Sequence, residues 1–251
     1  MKRAVPAELA PRARDRHGRV MKIYPVLLLA VAMPSVAAER SLSLTDFDRL
    51  RVEGGFIVEV RTGTATSGKI IGTQAAIEAA NVTVQGRQLN IRRNRSGWGG
   101  YPGQVPPAAT IRLTVPLLAN VWVSGPAKVS VDRLKGLRVA ASLEGPGSLS
   151  IARVTADRID LATLGSGTLT IAGTVGTLTA NARGAGTFDA GNLAVSDLKL
   201  TSESAGAVTV SVKRAANVTM TGTGTVTVLG KPACTVKNSG SGTVTCGSDQ
   251  P

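Results

Sequence analysis

The sequence is poor in the residues that most enzymes use for catalysis and metal binding. It contains one histidine, His17, and two cysteines, Cys234 and Cys246, in 251 residues. Ser-His-Asp triads, Cys-His nucleophiles and common zinc sites all draw on histidine or free cysteine. His17 lies in a segment that we expect to be removed, and the G-x-G pieces lack the strand-to-helix context of a phosphate loop. The composition therefore predicts no catalytic residue, no cofactor and no metal.

The chain also lacks an apolar run long enough to cross a membrane as a helix. The run at residues 23–33 is shorter than the roughly 20 residues that a spanning helix needs. Met21 and Lys22 precede it and small residues up to Ala38 follow it, which is typical of a secretory signal peptide. We predict a signal peptide over residues 21–38 and an exported mature chain from Glu39, in the periplasm, the cell envelope or the medium, with no transmembrane segment. Residues 1–20 are interpreted as an over-called start or an extended basic n-region.

Basic residues outnumber acidic ones, but they are scattered. The formal net charge is +13, and 22 basic against 14 acidic residues remain once residues 1–38 are set aside. No long basic run indicates nucleic acid as a partner. A moderately basic exported domain attracts acidic glycans and anionic surfaces, although a solvated surface that maintains solubility explains the same charge.

What the sequence does have is a glycine-rich repeat. Seven copies of a small-residue turn followed by an alternating strand start 20, 20, 19, 20, 18 and 18 residues apart. The copies are SGPAKVSV (124–131), EGPGSLSI (144–151), LGSGTLTI (164–171), RGAGTFDA (183–190), ESAGAVTV (203–210), TGTGTVTV (221–228) and SGSGTVTC (239–246). One such unit cannot bury its apolar face alone, so stacked units are expected to share a continuous core.

Aligning the copies predicts which side chains point inward. The first column after the turn is Val129, Leu149, Leu169, Phe188, Val208, Val226 and Val244, and the second is Val131, Ile151, Ile171, Ala190, Val210, Val228 and Cys246. A second strand precedes each turn, and another bend closes each unit. We therefore predict an all-β parallel β-solenoid with coils of about 18–20 residues. An antiparallel sandwich is the rival architecture, but hairpins seldom keep so constant a period.

Residues 39–120 are less regular and are expected to begin and cap the same solenoid, whose regular repeats occupy residues 121–247. Residues 47–60 show the same strand–Gly–strand arrangement. Residues 73–80 predict a short helix, and residues 81–91 predict two strands around Gly86.

These features resemble a known family. The opening FDRLRVEGGFIVEV (47–60), the central LTVPLLANVWVSGPAKV (113–129) and the trailing SG-x-G-type repeats are similar to the putative auto-transporter adhesin head GIN domain family over residues 47–246. The resemblance implies a right-handed parallel β-helix in an exported bacterial envelope protein, and it supplies no catalytic residue. Pro126, Pro146 and Ser204 depart from the usual corner residues of the family.

Some parallel β-helices cleave acidic polysaccharides, so carboxylate pairs were considered. Glu144 and Glu203 share a predicted column three coils apart, about 14 Å at the spacing of neighbouring strands. Arg183 lies between them and is expected to form a surface ion pair with Glu203. Asp157 and Asp160 lie at a coil bend, where aspartate commonly stabilises the turn. None of these arrangements predicts an enzyme.

Two features are candidates for binding. One is the outward Ser and Thr ladder of the post-turn strands, which is interrupted by Lys128, Asp189 and Ala207; it either orders a ligand or reflects the strand preference of threonine. The other is the Gly- and Pro-rich loop at residues 92–107, where cations and aromatics together suit a sugar ring or an acidic group. Its candidate ligand-binding residues are Arg92, Arg93, Arg95, Trp98 and Tyr101.

The cysteines are expected to form a disulfide, because their number is even and the chain is exported. Cys234 and Cys246 lie six positions before and six after Gly240, at inward positions of the last coil; two buried free thiols are the alternative.

We interpret the protein as a non-catalytic exported module that binds a glycan or an envelope protein. A purely structural envelope protein and a polysaccharide-active enzyme are the alternatives.

Overall fold

The computed structural model describes residues 38–94 and 108–248. They form seventeen strands and one short helix. The strands belong to a single sheet that coils into a β-solenoid of about 6 turns. The elements are β1 (Ala38–Leu42), β2 (Arg49–Glu53), β3 (Ile57–Thr62), β4 (Ser67–Gly72), α1 (Gln74–Glu78), β5 (Ala80–Gln85), β6 (Gln88–Arg93), β7 (Thr110–Val115), β8 (Asn120–Ser124), β9 (Lys128–Val131), β10 (Leu134–Glu144), β11 (Ser148–Gly165), β12 (Thr168–Gly184), β13 (Thr187–Ser204), β14 (Ala207–Met220), β15 (Thr225–Leu229), β16 (Ala233–Asn238) and β17 (Thr243–Ser248). The predicted all-β solenoid is confirmed.

The regular coils stack in parallel and in the predicted register. Leu149 pairs with Leu169, Leu169 with Phe188, and Phe188 with Val208. Both predicted inward columns are buried from Val129 and Val131 through Val226 and Val228. Their side chains join one apolar core that runs the length of the described solenoid, as the shared-core argument requires.

Each regular coil has a third straight segment that the sequence pattern did not predict. Leu134, Val154 and Leu193 lie in this segment and are fully buried. Val154 pairs with Leu134 on one side and with Gly173 on the other, after a shift of register that follows Ile151. The sequence predicted two strands and a closing bend in each coil. The structure has a third side of the coil in place of that bend. Only one or two residues of each copy point inward there, too few to produce an alternating pattern.

The corner between the first two sides depends on glycine. Gly165 adopts φ +116°, and a Cβ on Gly167 would lie 2.5 Å from the carbonyl oxygen of Gly147 in the preceding coil. Any larger side chain would push neighbouring coils apart. Ser204 takes the place of Gly165 and Gly184 in the next coil, where its hydroxyl donates to the Gly184 carbonyl at 3.0 Å and accepts from the Gly206 amide at 2.9 Å. These bonds satisfy its polar group within the corner.

The N-terminal coils do not stack in chain order. β2 lies between β6 and β8, and β3 lies between β7 and β9, all in parallel. The coil made by β2 and β3 is thus enclosed by later segments of the chain. This arrangement brings side chains of β2 next to side chains of β8.

Antiparallel strands cover the N-terminal end of the solenoid. β5 pairs with β6, β4 pairs with β7, and β1 pairs with β4. α1 lies between β4 and β5, and the Thr73 hydroxyl caps its start by accepting from the Ala76 amide at 3.2 Å. The predicted short helix and the two strands around Gly86 are both present.

The predicted disulfide is confirmed at the other end. Cys234 of β16 and Cys246 of β17 are bonded, with their Cα atoms 6.6 Å apart. Cys246 is half-buried against the core, whereas Cys234 is exposed. β16 and β17 are the last strands that the structure describes, so no further coil in that part of the chain covers Cys234.

Candidate functional site

The side of the solenoid that precedes the glycine corner carries a hollow around Trp122. Val121 and Val123 are buried, so the side chain of Trp122 points outward from β8. The residues that follow Trp122 in the same column are Ser142, Ala162 and Asn181. We call the outward surface of β2, β8, β10, β11 and β12 on this side the tryptophan face. Its central hollow has a volume of about 410 Å³.

Trp122 is held on two sides. The guanidinium of Arg51 lies 3.7 Å from the centroid of its ring, and its indole Nε1 donates to Glu144 Oε1 at 3.0 Å. Arg51 in turn donates to Glu53 Oε1 at 2.6 Å. A cation over an aromatic ring and a charge-assisted hydrogen bond both restrict the rotation of the side chain. The ring is therefore fixed in place before any ligand arrives.

The hollow extends on both sides of Trp122, and Arg51 lines it together with Ser142 and Ala162. Arg51 and Ser142 pair with Trp122 from opposite neighbouring strands. Ser142 and the next residue of the column, Ala162, are small, so they leave space beside the ring. The space extends towards Asn181, three coils from Trp122 and about 14 Å away at the usual strand spacing. A single flat ring or a short chain of rings fits such a shape.

Polar groups surround this apolar floor. The hollow is lined at its rim by Arg49, Gln88, Asn120, Asp160 and Asn181. These side chains offer guanidinium and amide donors together with amide and carboxylate acceptors. An aromatic surface with a few convergent polar groups is typical of small-molecule sites. A sugar ring presents the same combination, an apolar C–H face with hydroxyls at its edge.

A second hollow of about 300 Å³ adjoins the first and shares Ala162 and Asn181 with it. Leu164 lies on it with 54% of its surface exposed. The predicted ion pair at its end is confirmed, with Arg183 Nε 3.0 Å from Glu203 Oε2. Glu144 and Glu203 occupy one column three coils apart, as expected, with Arg183 between them.

The predicted loop residues fall partly outside the described residues. Arg95, Trp98 and Tyr101 lie outside the residues that the structure describes, so their candidate role in ligand binding stays a prediction. Arg92 and Arg93 end β6 and are exposed. Arg92 Nε lies 3.6 Å from Glu53 Oε2, the carboxylate that also contacts Arg51. Arg92 is thus connected to the tryptophan face.

The outward Ser and Thr ladder lies in register on the next side of the coil. Thr168 pairs with Ser148 and with Thr187, and all three are exposed or half-buried. Asp189 interrupts the neighbouring column, and its carboxylate accepts from the Gly191 amide at 3.0 Å. The ladder itself contains no aromatic residue, so the tryptophan face is the better candidate site.

Sequence reasoning missed Trp122, Arg51 and Asn181 as site residues. The available signal was Trp122 itself, a large aromatic at an outward strand position where the later copies carry serine, alanine, asparagine, threonine or lysine. Arg51 had no such signal, because its contact with Trp122 depends on the stacking of β2 against β8.

The described residues show no cluster of three or more histidine, cysteine or acidic side chains arranged to hold a metal ion. Asp197 has its pKa lowered, chiefly by the hydrogen bond that Arg214 donates; desolvation opposes this shift, and the charge of Arg214 adds to it. This pair is exposed and lies at a coil bend, away from the tryptophan face. Its effect is structural, since a carboxylate with a lowered pKa is a poor proton donor.

Residues 46–232 match the family described as putative auto-transporter adhesin, head GIN domain. The chain belongs to this family. The match ends before β16, so the disulfide-bonded coil of this GIN-domain protein lies beyond it. No curated protein matches the chain.

Solved structures share the fold of this GIN-domain protein. A putative adhesin from Bacteroides fragilis is 19% identical, with a TM-score of 0.77, over 84% of this chain and 97% of that one. A putative lipid binding protein from Parabacteroides distasonis is 16% identical, with a TM-score of 0.65, over 83% and 95%. A putative adhesin from the same organism is 18% identical, with a TM-score of 0.62, over 84% and 96%. In the part of the chain that the structure describes, no helix is long and apolar enough to span a membrane.

Proposed function

We propose that this protein is an exported, non-catalytic adhesin-like module that binds a glycan on its tryptophan face. The observation that carries the proposal is the immobilised ring of Trp122 beside a hollow of small side chains with a polar rim. Family membership supports an adhesin-like role, and the geometry of the face supports a sugar as the ligand.

The dimensions of the hollow favour a glycan over a protein surface. Its volume of about 410 Å³ lies within the range of roughly 300–1,000 Å³ typical of small-molecule sites. The small side chains of Ser142 and Ala162 leave space beside Trp122, and a sugar can pack its C–H face there. Because Arg51 and Glu144 already hold the ring, little conformational entropy is lost when a ligand binds.

The test is a glycan array followed by titration of any hit against two matched variants, Trp122→Ala and Trp98→Ala. We expect saturable binding that weakens about tenfold or more in Trp122→Ala, as for a central aromatic contact. If the tryptophan face alone holds the glycan, Trp98→Ala should bind as the unaltered protein does, whereas a site in the predicted loop requires Trp98→Ala to weaken binding. Loss of binding in Trp98→Ala alone would move the site to the loop at residues 92–107, and absence of saturable glycan binding would contradict the proposal.

The arrangement of acids supports binding over hydrolysis. Glu144 and Glu203 are about 14 Å apart along their column, whereas glycosidases place two carboxyl groups roughly 5–9.5 Å apart. The Glu144 carboxylate is also engaged with Trp122. Release of reducing ends from any glycan that binds would contradict the non-catalytic role.

Export is the remaining part of the proposal. Cleavage after Ala38 leaves Glu39 to Leu42 in place, and these residues pair with β4. The mature chain therefore retains the edge strand of the N-terminal cap. N-terminal sequencing of protein recovered from the envelope or the medium should give a start at Glu39, and an intact Met1 or Met21 would contradict the prediction.

A further inference from the structure

A second surface combines exposed leucine with unpaired positive charge. It lies on the third side of the coils and continues to Arg138 and Arg158, two residues before Ala140 and Asp160 of the tryptophan face. Leu137 is 80% exposed at its centre. We call it the leucine–cation patch, made of Leu137, Arg133, Lys135, Arg138, Arg153 and Arg158.

The local stacking explains why Leu137 projects. The Lys135 amide donates to the Leu118 carbonyl at 3.1 Å, and pairing of β10 with β8 resumes only at Ala140. Residues 136–139 therefore have no strand partner on that side within the described residues. On the other side Gly136, Arg138 and Val139 pair with β11, so the residues that flank Leu137 are held from one direction. Leu117, next to Leu118, is also 42% exposed.

The five cations of the patch outnumber the acidic residues beside it. None of its five cations forms an ion pair with any residue that the structure describes. Two acidic residues lie beside these cations: Asp132, whose carboxylate accepts hydrogen bonds from the Thr62 amide and hydroxyl at 2.9 Å, and Asp157, which lines the same hollow as Lys135 and Leu137. Arg138 and Arg158 pair in register, which places like charges on adjacent strands. Such a surface gains free energy from an anionic partner.

We propose that the leucine–cation patch docks the protein on an anionic lipid surface. The positive charges lie over negative headgroups, and Leu137 enters the interfacial region. Binding of a protein to a membrane surface combines buried apolar area with attraction to anionic lipids. A soluble polyanion would use the cations but would gain nothing from a projecting leucine, so the exposure of Leu137 favours the lipid surface.

The experiment measures co-sedimentation of the protein, as recovered from producing cells, with two kinds of vesicle. One kind contains phosphatidylcholine alone, and in the other phosphatidylglycerol replaces part of it. We expect binding to the anionic vesicles that falls as salt is added. The variant R133Q/K135Q/R138Q should bind about a hundredfold more weakly, at roughly fivefold for each cation removed. Leu137→Ser should weaken binding on the order of tenfold.

Matched controls separate the patch from net charge and from general apolar exposure. K128Q/K231Q/K237Q removes the same charge from exposed lysines elsewhere, and Val236→Ser removes an apolar side chain that is 42% exposed. Both should bind as the unaltered protein does. Equal losses of binding in the two triple variants would overturn the proposal, and so would equal binding to both vesicle types. It would also be overturned if the protein bound no vesicles but was retained on heparin, with the same retention in Leu137→Ser. Trp122→Ala should leave lipid binding unchanged. The lipid-docking proposal can therefore be tested independently of the glycan-binding proposal.

Discussion

Arg51 lies with its guanidinium carbon 3.7 Å from the ring centroid of Trp122. The two residues belong to β2 and β8 and meet only because those strands are neighbours in the sheet. The contact orients the one aromatic ring of the tryptophan face. It also makes Arg51 a positioning residue whose effect can be separated from that of the ring.

Replacing Arg51 by glutamine should loosen the ring without removing it. In a Trp98→Phe background the fluorescence reports Trp122 alone, and R51Q should shift its emission to the red and increase quenching by acrylamide. Affinity for a glycan hit should fall about threefold to fivefold, as expected for an exposed cation–π contact. The matched control is Arg112→Gln, which breaks an exposed ion pair with Glu59 elsewhere. Equal spectral changes in both variants would show that Arg51 has no special role.

Leu169 tests the inward columns. Its side chain is 0% exposed, and Leu169→Asp would place an unpaired charge in a dry core. We expect unfolding or a loss of at least about 3 kcal/mol in the free energy of unfolding, measured by urea denaturation. Thr168→Asp is the control, because Thr168 is exposed beside Ser148 and Thr187. Thr170 is less suitable, since it pairs with Asp189. Similar losses in both variants would mean that the strand faces are reversed.

Gly167 tests the close approach at the corner. An added Cβ would lie 2.5 Å from the Gly147 carbonyl and 2.9 Å from a Leu143 methyl, so Gly167→Ala should cost about 1–3 kcal/mol of overpacking. A Cβ on Gly55 meets only Pro126 at 3.5 Å, an ordinary contact. Gly55→Ala should therefore be neutral or slightly stabilising. Thermal melting distinguishes the two, and equal melting temperatures would contradict the packing argument.

The disulfide should protect the terminal coil and leave the rest of the solenoid unaffected. In the chain-entropy model, closing a loop of this length stabilises by roughly 3 kcal/mol. Contacts in a solenoid are mainly between neighbouring coils, so the double variant C234S/C246S should fray locally. Amide hydrogen exchange should quicken in β16 and β17 and stay slow in β11 and β12. Global unfolding of the variant would show that the end coil supports the whole stack.

The sequence by itself determined the repeating part of this protein. Because each copy alternates inward and outward residues at constant spacing, the columns from Leu149 through Val226, the glycine corner and the cysteine pair could be predicted. Periodicity encodes the pairing of one coil with the next, and neighbouring coils in that region are also neighbours in the chain.

Tertiary structure alone decided the site. The coil of β2 and β3 is enclosed by β6 to β9, and no period marks that order, since the pairing depends on which segments bury their faces best together. Arg51 therefore meets Trp122 only in the folded solenoid. The third side of the coil was hidden for a related reason, because each copy contributes too few inward residues there. Leu137 is exposed on this third side because, within the described residues, residues 136–139 have no strand partner in the preceding coil.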